Sequence, residues 1–230
     1  MEYFLEALIT AFQLIFSFNK EVYQVVWTSL WISLVAIIIA ALVATPLGLL
    51  VHFRSFTGKV FLRQSLNTLM AMPTVVVGLF LYGLFTRQGP LGDLGLLYTP
   101  AAIIIGECVL ILPIILNLTI SAAAGADPRV ISTCKSLGAT EIQQIGLFIN
   151  EVRFALVAAL VTGFGRAIGE VGIAMMLGGN IEGFTRTMTT AIALETSKGE
   201  FEFAMALGLL LLFTAFVVNM ALQRIQVLNQ

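Results

Sequence analysis

The chain has 230 residues, of which 59% are hydrophobic and only 11% are charged. Soluble domains are nearer one half apolar and about one quarter charged, so this composition excludes an ordinary soluble fold and predicts a polytopic membrane protein. The net charge of −1 and the lack of a basic run give no reason to expect a nucleic-acid partner. The N-terminus lacks the basic region of a cleavable signal, so we expect the spans themselves to drive membrane insertion.

Residues 1–20 carry apolar side chains at mostly helical spacing, with Glu2, Glu6, Gln13 and Lys20 between them. A membrane-spanning helix needs about 20 predominantly apolar residues, and this segment is too short and too polar. We therefore expect a helix that lies at the membrane interface.

Five longer apolar segments follow, and each is long enough to cross a bilayer as a helix. They cover residues 25–51, 66–85, 100–120, 154–177 and 203–222. Pro46, Pro73 and Pro113 lie inside three of them, where proline bends a helix and frees a backbone carbonyl. The sequence thus predicts an all-α integral membrane protein with about five transmembrane helices and one N-terminal interfacial helix.

Lysine and arginine residues between the spans indicate the orientation, because cytoplasmic loops carry an excess of both. One side of the membrane carries Arg54, Lys59, Arg63, Arg129, Lys135, Arg153 and Arg224, and the other carries Lys20, Arg87, Arg186 and Lys198. This bias predicts an external N-terminus and a cytoplasmic C-terminus. It also predicts that residues 121–153 face the cytoplasm.

The segment 121–153 is the longest one between spans, and it predicts two short helices. Asp127 can cap the first helix, and Pro128 suits its first turn. We expect that helix over residues 130–137 and the second over 141–149, with a glycine break and a threonine cap between them.

This layout resembles the cytoplasmic coupling loop of binding-protein-dependent ABC importer permeases, in which a Glu-Ala-Ala box precedes a glycine by three residues. Gly138 stands at the glycine, but the box falls on Ser132, Thr133 and Cys134, and the family's Leu-Pro ending falls on Asn150 and Glu151. The alternative is an ordinary amphipathic loop. By the resemblance, the residues that would couple to an ATPase are Ser132, Thr133, Cys134, Gly138, Ala139, Thr140 and Glu141.

Arg166 and Glu170 are the costly residues of the predicted span 154–177, because a charge near the bilayer centre costs about 2.5–3.5 kcal/mol on insertion scales. Four residues apart, they share one helical face and can neutralise each other. They either line or gate a translocation path or form a structural ion pair that holds the span in a bundle. Gly165 and Gly169 form a Gly-x-x-x-Gly pattern that favours close packing of another helix.

The segment after this span begins with Gly178, Gly179 and Gly183, which break the helix. Three threonines then precede a short apolar piece at residues 191–194. This pattern predicts an external loop with a short interfacial helix, or else a lid or docking edge for an external partner.

Several motifs are similar to those of oxyanion ABC permeases for molybdate, tungstate and sulfate. They are RAIGEVG at 166–172, GGN at 178–180, TRTMTTAI at 185–192, MAMPTVVVGLFLYGLF at 70–85 and ATPLGLLV at 44–51. The resemblance covers residues 25–225. The Glu-Val-Gly sequence at 170–172 and the TRTMTTAIALET sequence at 185–196 are most similar to those of the tungstate-type permeases.

The resemblance implies the membrane-spanning subunit of an ATP-driven importer for an oxyanion, tungstate first, with molybdate or sulfate as the alternative. It implies one permease domain over residues 1–230, a second copy of the chain, and a bacterial or archaeal cell (inner) membrane. Two ATP-binding subunits would hold ATP and Mg²⁺, and an extracytoplasmic binding protein would deliver the anion. The path or gate candidates are Arg166, Glu170, Gly179 and Asn180.

Catalytic and metal-binding residues are not expected in this chain. It lacks a Gly-x-x-x-x-Gly-Lys-Ser/Thr motif for ATP, and His52 is its single histidine. Cys108 and Cys134 should stay reduced, since they fall in a span and in a loop. A self-contained secondary transporter would need a coupling-ion site, for which only Arg166 and Glu170 are candidates. An intramembrane enzyme would need a nucleophile–base pair, which we do not find.

Overall fold

The computed structural model describes residues 2–127 and 129–227, without the side chains of residues 2–4, 131, 132, 135, 141, 142, 222, 223 and 225–227. Its helices are α1 (Glu2–Phe16), α2 (Lys20–Phe53), α3 (Lys59–Met70), α4 (Thr74–Phe85), α5 (Pro100–Ala124), α6 (Arg129–Ser136), α7 (Glu141–Ile168), α8 (Gly172–Gly178), α9 (Met188–Lys198) and α10 (Phe201–Val227). A 3₁₀ turn covers Gly92–Leu94. The predicted all-α class is confirmed, and Pro128 lies outside the described residues.

Four helices, α2, α5, α7 and α10, are long and apolar enough to cross a membrane. The helices α3 and α4 meet the same criterion only as a pair, and they are bent by 94° at the break between them. The described chain therefore has four candidate spans, or five if the bent pair is one span, which confirms the expected number of about five. The short apolar helix predicted at the N-terminus is α1.

The segment predicted as one span over residues 66–85 is bent, because Pro73 interrupts it. Proline has no backbone N–H, and its ring pushes the preceding residue out of the helical region. The first helix ends at Met70, and Pro73 becomes the cap of α4 with φ −61° and ψ 127°. Its carbonyl accepts the N–H of Val76 at 3.0 Å, so the second helix starts directly after the break.

The central element of the bundle is α5, which packs against α2, α3, α7 and α8. Small residues bring α2 close to it. Ala36, Ala40 and Ala44 are almost fully buried, and a Cβ at Gly48 would lie 2.7 Å from Thr119 Cγ2. Such packing is expected in a membrane, where lipid is as apolar as the helix surfaces and the hydrophobic effect does not drive helices together. Small residues let the backbones approach closely, and van der Waals contact stabilises the pair.

Candidate functional site

The fourth predicted span is not one continuous helix, so the expectation of a helix over 154–177 is wrong. Helix α7 ends at Ile168, and α8 begins at Gly172. The carbonyl of Glu170 in the break accepts the Thr189 hydroxyl at 2.7 Å, and the Glu170 carboxylate accepts the N–H of Ile173 at 3.2 Å. A helix can be interrupted at membrane depth only where the protein supplies such partners.

Arg166 and Glu170 form the ion pair that the sequence predicts, with Arg166 Nη1 2.8 Å from Glu170 Oε2. They meet because Glu170 lies just beyond the end of α7, and not because both lie on one continuous helix. The Glu170 side chain is 3% exposed, whereas that of Arg166 is 38% exposed. The Arg166 side chain thus lies at the end of a membrane-crossing helix, where it contacts a buried carboxylate and is partly exposed at the surface of the subunit.

A second buried carboxyl, that of Glu107 on α5, was missed by the sequence reasoning. Glu107 is 2% exposed, and its Oε2 has no hydrogen-bond partner among the described residues. The Ser33 hydroxyl of α2 lies within hydrogen-bonding reach, and Glu170 is close enough to interact with its charge. The available signal was a lone glutamate in an otherwise apolar span, which is rare enough to mark a functional position.

The threonine-rich segment that leads into α9 is packed inside the subunit, whereas residues 181–184 before it are exposed. The short helix predicted at 191–194 lies within α9, which is longer than expected. Helix α9 runs over Met188–Lys198, and its first residues are buried. Thr187 caps the helix together with Thr190, and the N–H of Met188 donates to the Ser29 hydroxyl of α2 at 2.6 Å. These bonds fix α9 beside the break at Glu170.

Arg186 anchors this segment to its neighbours, although the sequence analysis gave it no structural role. It is 8% exposed, and its Nη1 lies 3.5 Å from Glu21, 3.7 Å from Glu182 and 4.0 Å from Glu195. Lys198 pairs with the same Glu195 at 2.9 Å. One guanidinium thus holds the start of α2, the loop after α8 and the middle of α9 together.

The other two path candidates, Gly179 and Asn180, lie at the far end of α8 from the ion pair. Gly179 has φ +69°, and a Cβ there would lie 2.7 Å from the Tyr98 ring. It borders an open depression of about 670 Å³ that is lined by Leu79, Tyr82, Tyr98, Met175, Met176, Gly179 and Ile181. Asn180 donates to the Thr190 carbonyl at 3.4 Å, and its Oδ1 is buried, so its side chain points into the protein.

The predicted coupling segment contains one short helix, α6, followed by a tight turn into α7. Gly138 has φ +74°, and the N–H of Ala139 donates to the Cys134 carbonyl at 3.0 Å. Thr140 and Gln143 form a capping box at the start of α7. The predicted separate helix over 141–149 is wrong, because α7 continues without interruption from Glu141 to Ile168.

The surface of this segment has an exposed apolar side chain at its turn and charged residues where α6 begins. Leu137 is 82% exposed, whereas Cys134 is buried against the subunit. The Arg129 side chain donates to the Asp127 carboxylate, and the backbone N–H of Arg129 donates to it at 2.8 Å. These two contacts, the side chain first, lower the pKa of Asp127. Thr133 is exposed, while the side chains of Ser132 and Glu141 lie outside the described residues.

Within the described residues, no group of three or more histidine, cysteine, aspartate or glutamate side chains could hold a metal ion. Cys108 and Cys134 are free thiols.

Comparisons with known proteins give a consistent result. The sequence profile of the family described as "binding-protein-dependent transport system inner membrane component" matches residues 44–228. The chain is 41% identical to the tungstate uptake system permease protein TupB of Peptoclostridium acidaminophilum, over 98% of this chain and 99% of that one. It is 37% identical to the TupB of Campylobacter jejuni, over 95% and 92%. The fold is similar to a chain of the inward-facing MetNI methionine ABC transporter, with TM-score 0.72, 19% identity and coverage of 90% and 95%.

The unequal burial of the ion pair predicts unequal effects of its two neutral variants. Arg166→Gln leaves a buried carboxylate without its cation, which costs about 3–5 kcal/mol. Glu170→Gln leaves a guanidinium that is partly exposed and keeps an oxygen for the N–H of Ile173. We therefore expect Arg166→Gln to reduce the yield of folded protein more than Glu170→Gln, and the double variant to recover it.

The measurement is the folded fraction in membranes, by fluorescence-detected gel filtration, with Arg153→Gln as the control. Arg153 bonds Asn150 on the exposed part of α7, so its loss should have little effect. Equal losses for the two single variants, or a double variant no better than Arg166→Gln, would contradict the assignment.

Proposed function

Because the chain belongs to the family of binding-protein-dependent transport system inner membrane components, we propose that its cargo is tungstate. Members of this family are permease components of ABC importers, in which a separate subunit binds ATP. The observation that carries the cargo assignment is the identity of 41% and 37%, over nearly the whole chain, to two permeases named for tungstate uptake. The RAIGEVG and TRTMTTAIALET motifs, which form the buried site around the break, support the same assignment.

We assign the translocation path to the exposed side of Arg166. Its side chain is 38% exposed at the end of a membrane-crossing helix, and lipid is a poor environment for its charge. A water-filled path and a second copy of the chain are neighbours that would solvate it. A tetrahedral dianion on that path would meet the cation first, while the Glu170 carboxylate stays behind it.

In this proposal α8 gates the outer end of the path, and Gly179 borders its mouth. Glycines make the contact of α8 with α4 and α5 close. A Cβ at Gly78 would lie 3.0 Å from Met176, and one at Gly106 would lie 2.4 Å from Ile173. Asn180 has a supporting role, because its side chain holds the turn after Gly179 and does not face the depression.

The ATPase would dock in the cytoplasm on α6 and the first turns of α7. This proposal puts the N-terminus outside, as the lysine and arginine bias suggests. Leu137 projects from the Gly138 turn as an exposed apolar contact for the partner. Since α7 is continuous for 28 residues, one rigid helix about 42 Å long joins the docking surface to the break after Ile168. Motion at the turn would then reach the break at Glu170 directly.

On the other side, an extracytoplasmic binding protein would deliver the anion near Tyr98 and Gly179. The cluster around Arg186 holds the neighbouring loop in one conformation, with three carboxylates within 4.0 Å of one guanidinium. A rigid outer surface suits a partner that must dock in a fixed register. Discrimination between tungstate and molybdate, two dianions of similar shape, would rest mainly with that partner.

The docking proposal makes a prediction about two glycines that both face open space. Gly138 has φ +74°, whereas Gly146 lies in regular helix on α7. Alanine at position 138 must adopt a left-handed conformation that costs about 1–2 kcal/mol, while alanine at 146 favours the helix. Gly138→Ala should therefore weaken the recovery of the ATPase with the affinity-tagged permease, and Gly146→Ala should not.

Equal recovery of the ATPase with both variants would contradict the docking role of the turn and the cytoplasmic side assigned to it. Membrane levels of the two permeases must be matched first.

The cargo is tested by uptake into cells that lack the gene and into cells complemented with it. At low external concentrations, we expect deletion to abolish tungstate uptake, measured as cell-associated metal, and complementation to restore it. Sulfate uptake should be unchanged. Loss of sulfate uptake with tungstate uptake intact would overturn the assignment, and equal loss of tungstate and molybdate would indicate that the binding protein passes both anions.

A further inference from the structure

Two buried carboxyl groups interact inside the subunit, and the guanidinium of Arg166 pairs with one of them. Glu107 on α5 and Glu170 in the break between α7 and α8 are both almost fully buried. Arg166 pairs with Glu170 at 2.8 Å, and Glu107 forms no salt bridge among the described residues. The positive charge of Arg166 is therefore neutralised by Glu170 and is not available to Glu107.

The elements packed around Glu107 bring no second cation to it. Helix α2 contributes the Ser33 hydroxyl, and the break contributes the Glu170 carboxylate. On α5 itself, Cys108 directs its Sγ to the Ala36 carbonyl at 3.3 Å.

The remaining charged side chains near α5 are used elsewhere. Helix α8 carries no titratable residue, and Tyr82 is the one on α4, where it bonds Tyr98. On α3, Lys59 donates to the carbonyls of His52 and Arg54 at the far end of α2, and Arg63 lies near His52.

The packing of α8 encloses Glu107. A Cβ on the adjacent Gly106 would lie 2.4 Å from Ile173 Cγ2 and 2.8 Å from Leu177 Cδ1, so α8 rests directly on α5 at this level. The Oε2 of Glu107 is buried and has no partner in the described part of the chain. A charge in such a place is strongly disfavoured, and two carboxyls that share a site do not both ionise readily.

We propose that Glu107 is a proton-binding site inside the membrane, which carries its proton while α8 is packed on α5. When α8 separates from α5, water reaches the carboxyl, which gives its proton to water and becomes a hydrated carboxylate. Return of α8 requires the proton to bind again. This inference rests on the proposed role of α8 as the outer gate: protons favour the closed form of that gate, whichever anion the subunit carries.

If Glu107 is protonated, its side chain is neutral, and glutamine at this position has nearly the same shape and charge. We expect Glu107→Gln to fold as well as the wild type in the complex with the ATPase. The folded wild type holds one proton that the unfolded chain releases to water, so its stability falls as pH rises. Between pH 6 and 9, its midpoint of thermal unfolding should fall by roughly 3 °C or more relative to that of Glu107→Gln.

The control is Glu200→Gln, since Glu200 is an exposed glutamate and this variant should keep the wild-type pH profile. Parallel profiles of wild type and Glu107→Gln would overturn the proposal. Glu107→Met, which is neutral and of similar length, is the second variant. If neither neutral variant folds, Glu107 is required as a carboxylate and the proposal is wrong.

An independent readout is the infrared C=O stretching band of a protonated carboxyl, recorded on the intact complex at neutral pH. We expect this band in the wild type, its loss in Glu107→Gln and its persistence in Glu200→Gln. An unchanged band in Glu107→Gln would also overturn the proposal.

Discussion

The backbone freed at Glu170 must find hydrogen-bond partners inside the protein, because the bilayer offers none. The Thr189 hydroxyl donates to the free Glu170 carbonyl at 2.7 Å, and the Glu170 carboxylate accepts the N–H of Ile173 in the first turn of α8. The same carboxylate then needs a cation, which Arg166 supplies from the last turn of α7. The same few neighbours thus satisfy the freed backbone groups and the charge of the Glu170 side chain. Loss of any one of these contacts should weaken the others.

This requirement explains why the polar segment before α9 is buried. To reach the Glu170 carbonyl, the first turn of α9 must lie inside the subunit, where Ser29 accepts the N–H of Met188. Arg186 pairs with Glu21 on α2 and Glu195 on α9, so the segment between α8 and α9 is also tied to its neighbours through this guanidinium. The interruption also leaves α8 a short separate helix on α4 and α5, attached to a long continuous α7.

Much of the fold could be predicted from the sequence, since the length of the apolar segments locates membrane helices. Interruptions were harder to predict. Gly169 lies in a run that is long enough to be predicted as one span despite Arg166 and Glu170. Whether glycine there ends the helix depends on Thr189, which follows 20 residues later and is brought close only by the fold. The spacing of Arg166 and Glu170 predicted their pairing, although Glu170 lies past the helix end. Glu107 was passed over because one carboxyl hardly changes the hydropathy of a long span.

The most direct test of this account compares two threonines that each donate to a backbone carbonyl. Thr189 donates to the freed carbonyl of Glu170 at 2.7 Å, whereas Thr162 donates to the Ala158 carbonyl at 2.8 Å within regular helix. If the break depends on its partners, Thr189→Val should cost about 1–3 kcal/mol and lower the midpoint of thermal unfolding by several degrees, while Thr162→Val should leave it nearly unchanged. Equal midpoints for the two variants would contradict the account.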